Sequence, residues 1–180
     1  MKKFITTIGL SCLLVFASAC AQASMIMQMY VVDAGKFATI EKDGAQRRAL
    51  LSETNSTRML DIEKAWNGLD FLLTRTNNTS PRSWVIFGRK QVGEDIGYGP
   101  AGLLSPSDVK EVAKLLKDET PEKLASQYDA QEMDRQKIYP RVWVREGKQG
   151  LDWLLGYYRE LVLFYENAAK NGQGIMIVVL

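Results

Sequence analysis

The run Gly174-Ile175-Met176-Ile177-Val178-Val179-Leu180 decides the fold. It holds six consecutive apolar residues, rich in β-branched side chains and without polar alternation. A strand that faces solvent on one side alternates polar and apolar residues. An unbroken apolar run therefore reads as a strand buried on both faces, in the middle of a sheet covered by helices. Directly before it, Asn171-Gly172 closes a helix predicted over Leu151–Lys170. Leu151, Leu154, Leu155, Tyr158, Leu161, Val162 and Tyr165 form one apolar stripe on that helix, and Trp153, Tyr157 and Phe164 a second beside it. Two stripes suit a helix packed between layers, so these aromatics read as core rather than partner surface.

Working outward, Ile26–Val32 reads as the first strand and Lys36–Lys42 as a short helix, with Asp43–Thr57 a polar loop. Asp61 is placed to cap a helix ending near Leu73, with Ile62, Ala65, Trp66, Leu69, Leu72 and Leu73 on its buried side. Thr76–Pro81 reads as a loop, Trp84–Phe87 as a second strand, Gly93–Gly99 as a glycine-rich loop and Leu103-Leu104 as a brief strand. Ser105-Pro106-Ser107-Asp108 starts a helix running to about Lys117, because serine caps, proline fits the first turn and the acid completes a capping box. Short helices open at Thr120-Pro121 and at Asp129, and Arg141–Val144 is expected to be extended. The expected fold class is α/β (α+β): one three-layer domain whose mixed β-sheet is covered by helices, with a long C-terminal helix followed by a buried C-terminal strand.

The opening residues carry an address. Met1-Lys2-Lys3 precedes an uncharged run from Phe4 to Phe16, followed by Ala17-Ser18-Ala19-Cys20-Ala21-Gln22-Ala23. A basic start, an apolar middle and small residues at a cleavage site make a secretory signal, and the run is too short for a transmembrane helix of ~20 residues. Two processing sites are open. Cleavage before Cys20, giving a 1–19 signal, would make that cysteine the acceptor of a lipid anchor, although Ala17 stands where a lipobox usually has leucine. Cleavage after Ala23 would give a 1–23 signal and a free domain over 24–180. With Cys12 removed, Cys20 would be the only cysteine left, which favours lipidation over an unpaired thiol in an oxidising compartment. The expected location is the periplasm or cell envelope, anchored to the membrane through that lipid.

The chain has 23 Lys+Arg against 21 Asp+Glu, and losing Lys2 and Lys3 leaves a formally neutral domain. No basic tract remains to neutralise phosphates, which argues against nucleic acid as a partner. The chain has no histidine. That removes His-dependent triads, imidazole metal ligands and the usual acid–base group near neutrality. No cofactor, metal or catalytic residue is assigned.

Several motifs tempt. Gly97-Tyr98-Gly99-Pro100-Ala101-Gly102 formally matches G-x-G-x-x-G, but Pro100 removes one N–H and no helix opens until Pro106. Ser107-Asp108-Val109-Lys110 matches S-x-x-K, yet its companion motifs are missing and Ser107 sits in a helix start. Asp70 would share a polar helix face with Glu63 and Asn67, and is either solvated or lines a cleft. Asp95 precedes two glycines of a loop, where a carboxylate caps turn amides or faces a ligand.

Leu60-Asp61-Ile62-Glu63-Lys64-Ala65-Trp66 with Phe71-Leu72-Leu73-Thr74, then Asp95–Ala101, Ile138-Tyr139-Pro140 with Trp143, and Gly150–Leu154 follow in one order. Over residues 25–180 this resembles the YfbM-like family, a bacterial domain of unknown function. The resemblance implies a three-layer α/β fold and no particular reaction. This chain departs from the family pattern, which often has His where Asn67 and Asp70 stand, Gly at Arg75 and Arg at Gly102.

Two functional readings result. The first is a non-catalytic envelope protein that binds a protein partner, such as an immunity-type protein facing a delivered toxin or an envelope component. The second is an enzyme or small-ligand binder with a cleft near Asp70, Asp95, Tyr98, Tyr139 and Trp143.

Overall fold

The computed structural model describes residues 24–55, 57–75 and 81–180. The signal segment and Cys20 lie outside the described residues, as does most of the Thr76–Pro81 loop.

Among the described residues five strands form one sheet: β1 (Met27–Val32), β2 (Met59–Glu63), β3 (Lys90–Val92), β4 (Ala101–Leu104) and β5 (Gly174–Val179). Their order is β2-β1-β5-β4-β3, so the C-terminal strand lies at the centre. Its alternate residues divide cleanly. Ile175 and Ile177 join Met27, Met29, Val31 and Leu104 under one helical layer, while Met176 and Val178 join Tyr30, Val32 and Leu103 under the other. The unbroken apolar run is thus explained by cover on both faces.

Strand direction is where the sheet differs from expectation. Every pairing is antiparallel, so the sheet is not mixed. A continuous apolar strand reports two-sided burial, and two-sided burial does not require a parallel neighbour.

The larger helical layer consists of α3 (Trp66–Thr74), α4 (Trp84–Phe87), α5 (Pro106–Asp118), α6 (Pro121–Ser126), α7 (Ala130–Arg135), α8 (Trp143–Glu146) and α9 (Lys148–Lys170). The other face is covered by α1 (Phe37–Lys42) and α2 (Gly44–Leu50), through Phe37, Ile40 and Leu50. In α9, Leu154, Tyr158, Leu161 and Tyr165 are buried, and the Tyr165 hydroxyl donates to Val85 O at 2.7 Å. Helix α5 starts as read: Ser105 Oγ accepts from Asp108 N at 3.2 Å, and the Asp108 carboxylate accepts from Ser105 N at 3.0 Å.

Four local expectations are corrected. Residues 44–50 of the expected polar loop are helix α2, because the Asp43 carboxylate accepts from Ala45 N and Gln46 N. Asp61 caps no helix. It lies in edge strand β2 opposite Gln28, and the helix starts at Trp66 instead. Trp84–Phe87 is helical although β-rich, because a turn after Pro81 feeds it and Gly88, at φ 73°, ends it. Residues 143–146 are helical because the carboxylate of Asp134, upstream in the chain, accepts from Trp143 N and Val144 N.

Candidate functional site

Residues 93–100 fold over the end of β5 and build one wall of a cleft. Asp95 Oδ1 accepts from Gly97 N and Gly99 N, each at 2.9 Å, which tightens the turn. Those two amides hold the Asp95 carboxyl below the ordinary range. Tyr98 N then donates to Val179 O at 3.0 Å, sewing the loop to the central strand. Gly97 is required by closeness: a Cβ there would lie 2.5 Å from Val179 O. Gly102 meets the Phe87 carbonyl in the same way. Of the glycines in the formal G-x-G-x-x-G match, Gly97 and Gly102 thus serve backbone packing and Gly99 a turn at φ 113°, and no helix opens on them.

The cleft holds about 220 Å³. Met27, Ile86 and Ile177 form its floor, and Trp66, Phe87 and Tyr98 its rim. Trp66 meets Phe87 edge-on at 5.9 Å and stacks on Tyr139 at 5.9 Å, so the aromatic wall continues beyond the cleft. Trp66 Nε1 donates to Met25 O and Met25 N donates to the Tyr139 hydroxyl, both at 3.2 Å. These two bonds fix the chain just before β1 against the wall. Phe87 is 38 % exposed and Tyr98 48 %, an uncommon display for large rings. Among the lining side chains only the Tyr98 phenol can ionise, and the Gln91 amide is bound to Phe87 O at 2.6 Å.

The structure separates the remaining candidates. Trp143 is 0 % exposed and belongs to the core, with Nε1 donating to Ile138 O at 2.7 Å. Asp70 is half-buried on α3 and does not line the cleft, and burial pushes its carboxyl up to about 6. Its expected partners part company: Glu63 ends β2, and Asn67 Oδ1 accepts from Tyr139 N at 2.8 Å. Of the five residues, Tyr98 lines the cleft, Asp95 shapes it and Tyr139 extends its wall. Ser107 lies in the first turn of α5 with its Oγ 2.8 Å from Ser105 Oγ. Sequence reasoning missed Trp66 and Phe87 as rim residues, since Trp66 was assigned to the buried helix stripe and Phe87 to a strand. Among the described residues no group of three acidic side chains is placed to hold a metal, and no helix is long and apolar enough to cross a membrane.

The model of a domain of unknown function, DUF1877, matches residues 24–178. The chain belongs to the DUF1877 family. A solved structure, that of the protein of unknown function YfbM from Escherichia coli, superposes with a TM-score of 0.72 at 21 % identity. The match covers 87 % of this chain and 100 % of that one. At that identity the likeness shows the shared fold alone. No curated protein matches this DUF1877 chain.

Proposed function

We propose that this DUF1877 protein is an exported, non-catalytic binding protein that engages a protein partner through the Trp66–Phe87–Tyr98 cleft. The observation that carries the reading is the chemistry of the lining. A site for acid–base work needs a base and an acid within reach of one substrate, and this cleft offers one phenol and an amide already bonded. The carboxylates that could have served are placed elsewhere: Asp95 is bound to two amides and Asp70 lies outside the lining. At about 220 Å³ the cleft is below the roughly 300–1,000 Å³ of small-molecule sites. It suits one apolar side chain of a partner, with exposed aromatic rings around it as binding anchors.

The partner is an envelope component or a delivered toxin that this protein neutralises, and residues 1–19 are the export signal, with Cys20 acylated as the first residue of the mature chain. Two measurements test this. The mass of the mature N-terminus should carry a lipid on Cys20; a chain starting at Ser24 would mean a free periplasmic protein, and an uncut chain would remove the export reading. Partner pull-down from envelope fractions should be lost with Tyr98→Ala. Equal recovery with wild type and Y98A would reject the cleft as the contact.

A further inference from the structure

Two charged side chains are buried among the described residues, Arg47 and Asp108. Asp108 is matched: Arg89 donates to it at 2.7 Å and Ser105 closes the capping box. Arg47 is not. It is 6 % exposed, and its Nη1 donates to two backbone carbonyls, Ile40 O at 2.8 Å and Glu41 O at 3.0 Å. Among the described residues no carboxylate oxygen lies within 4 Å of it. The nearest acids in sequence are otherwise engaged, Glu41 with Lys90 at 2.6 Å and Asp43 with the amides that start α2. Its Nε and Nη2 have no protein partner among the described residues, and because no fully buried side-chain nitrogen there is left unpaired, they reach the surface, where an anion can meet a charge that the protein itself does not balance.

The rest of the guanidinium faces a recess of about 510 Å³, lined by Arg47, Arg48, Asp43, Gly44, Gly93 and Glu94 among others. Arg48 is exposed, and it too has no carboxylate within 4 Å among the described residues. The two groups converge. A Cβ placed on Gly44 would lie 3.5 Å from Arg47 Nη2 and 3.6 Å from Arg48 Nη1. Gly44 thus leaves open a point that both forks can reach. Gly93, at φ 79°, is equally specific, because a Cβ there would sit 2.9 Å from Arg47 Cζ and displace the guanidinium. Arginine forks match oxyanions in planar, two-pronged geometry.

We propose that this recess binds the oxyanionic group, phosphoryl or carboxylate, of a small-molecule ligand, gripped between Arg47 and Arg48 above Gly44. The site lies on the α1–α2 side of the sheet, and its loop carries Ile96 into the recess while Tyr98 lines the aromatic cleft. It is therefore independent of the partner-binding reading. Asp43 and Glu94 line the same recess as the two arginines, and their charge favours a ligand with a single negative charge over a more highly charged one.

The test is titration of the folded domain with inorganic phosphate, and separately with acetate, at constant ionic strength set by chloride, followed by amide chemical shifts. Saturable shifts at Gly44, Arg48 and Gly93 are expected, and the tighter of the two anions identifies the group as phosphoryl or carboxylate. Arg48→Ala, on an exposed position, should weaken binding at least tenfold with the fold intact. Arg47→Lys keeps the charge but loses the fork, and should weaken it as well. Non-saturating shifts for both anions would overturn the proposal, as would equal affinity in wild type and R48A.

Discussion

Asp70→Asn should make the protein more stable at neutral pH, and only there. Burial lifts the Asp70 carboxyl from 3.8 to about 6. Over that interval the native state holds a proton that the unfolded chain has released, so stability falls as pH rises from about 4 to about 6 and then levels off. The interval from 3.8 to about 6 corresponds to about 3 kcal/mol, at about 1.4 kcal/mol for each tenfold. Residual solvent contact reduces this, and about 2 kcal/mol is the expectation. Asparagine cannot ionise, so it escapes the penalty above the folded value and gains nothing below the unfolded one. Urea unfolding of both proteins from about pH 3.5 to 8 isolates the effect, because every other carboxylate cancels in the difference. With a urea slope of about 2 kcal/mol per molar, the midpoints should coincide at the acid end and separate by about 1 M at pH 7.5. A separation independent of pH would refute the reasoning, and so would a D70N protein less stable than wild type at pH 7.5.

Other substitutions separate the scaffold from the cleft. Trp143→Ala removes a fully buried ring and should cost about 3–5 kcal/mol in chemical denaturation, whereas Tyr98→Ala, at an exposed rim, should change stability by less than about 1 kcal/mol. Gly102→Ala drives a methyl into the Phe87 carbonyl and should cost about 1–3 kcal/mol in the same assay. A dinucleotide added to wild type should leave its thermal midpoint unchanged. Ser105→Ala opens the capping box of α5 and should lose about 1 kcal/mol, with hydrogen exchange rising first at the amide of Asp108.

Much of the fold was legible because it is written locally. The capping box at Ser105, the stop at Asn171-Gly172 and the two-faced apolar strand each depend on residues close in sequence. What could not be read depends on distant partners. Asp134 caps a helix nine and ten residues away, and β2 becomes a strand because β1 offers it an edge. Ile62, Ala65 and Trp66 sit at helical spacing, yet Ile62 lies in the strand and the helix starts after a turn. The site was legible in part for the same reason. Asp95 and Tyr98 belong to one tight loop whose glycines announce it, whereas Trp66 and Phe87 reach the cleft through the packing of α3 and α4. Asp70 was expected on a polar helix face, solvated or lining a cleft, and its half-buried place on α3 outside the cleft depends on packing that helical spacing does not record. The helix around Arg47 was hidden because an arginine takes the inward position that an apolar residue would have marked.

The central claim, that the aromatic cleft is the contact surface of an exported binding protein, is tested most directly by photocrosslinking in living cells. A benzophenone amino acid at Tyr98 should give a discrete adduct with one envelope or toxin protein, abolished by Trp66→Ala and absent when the probe stands at the exposed Leu163 of α9. The same adducts from both positions, or none from Tyr98 in cells that contain the protein at normal levels, would contradict it.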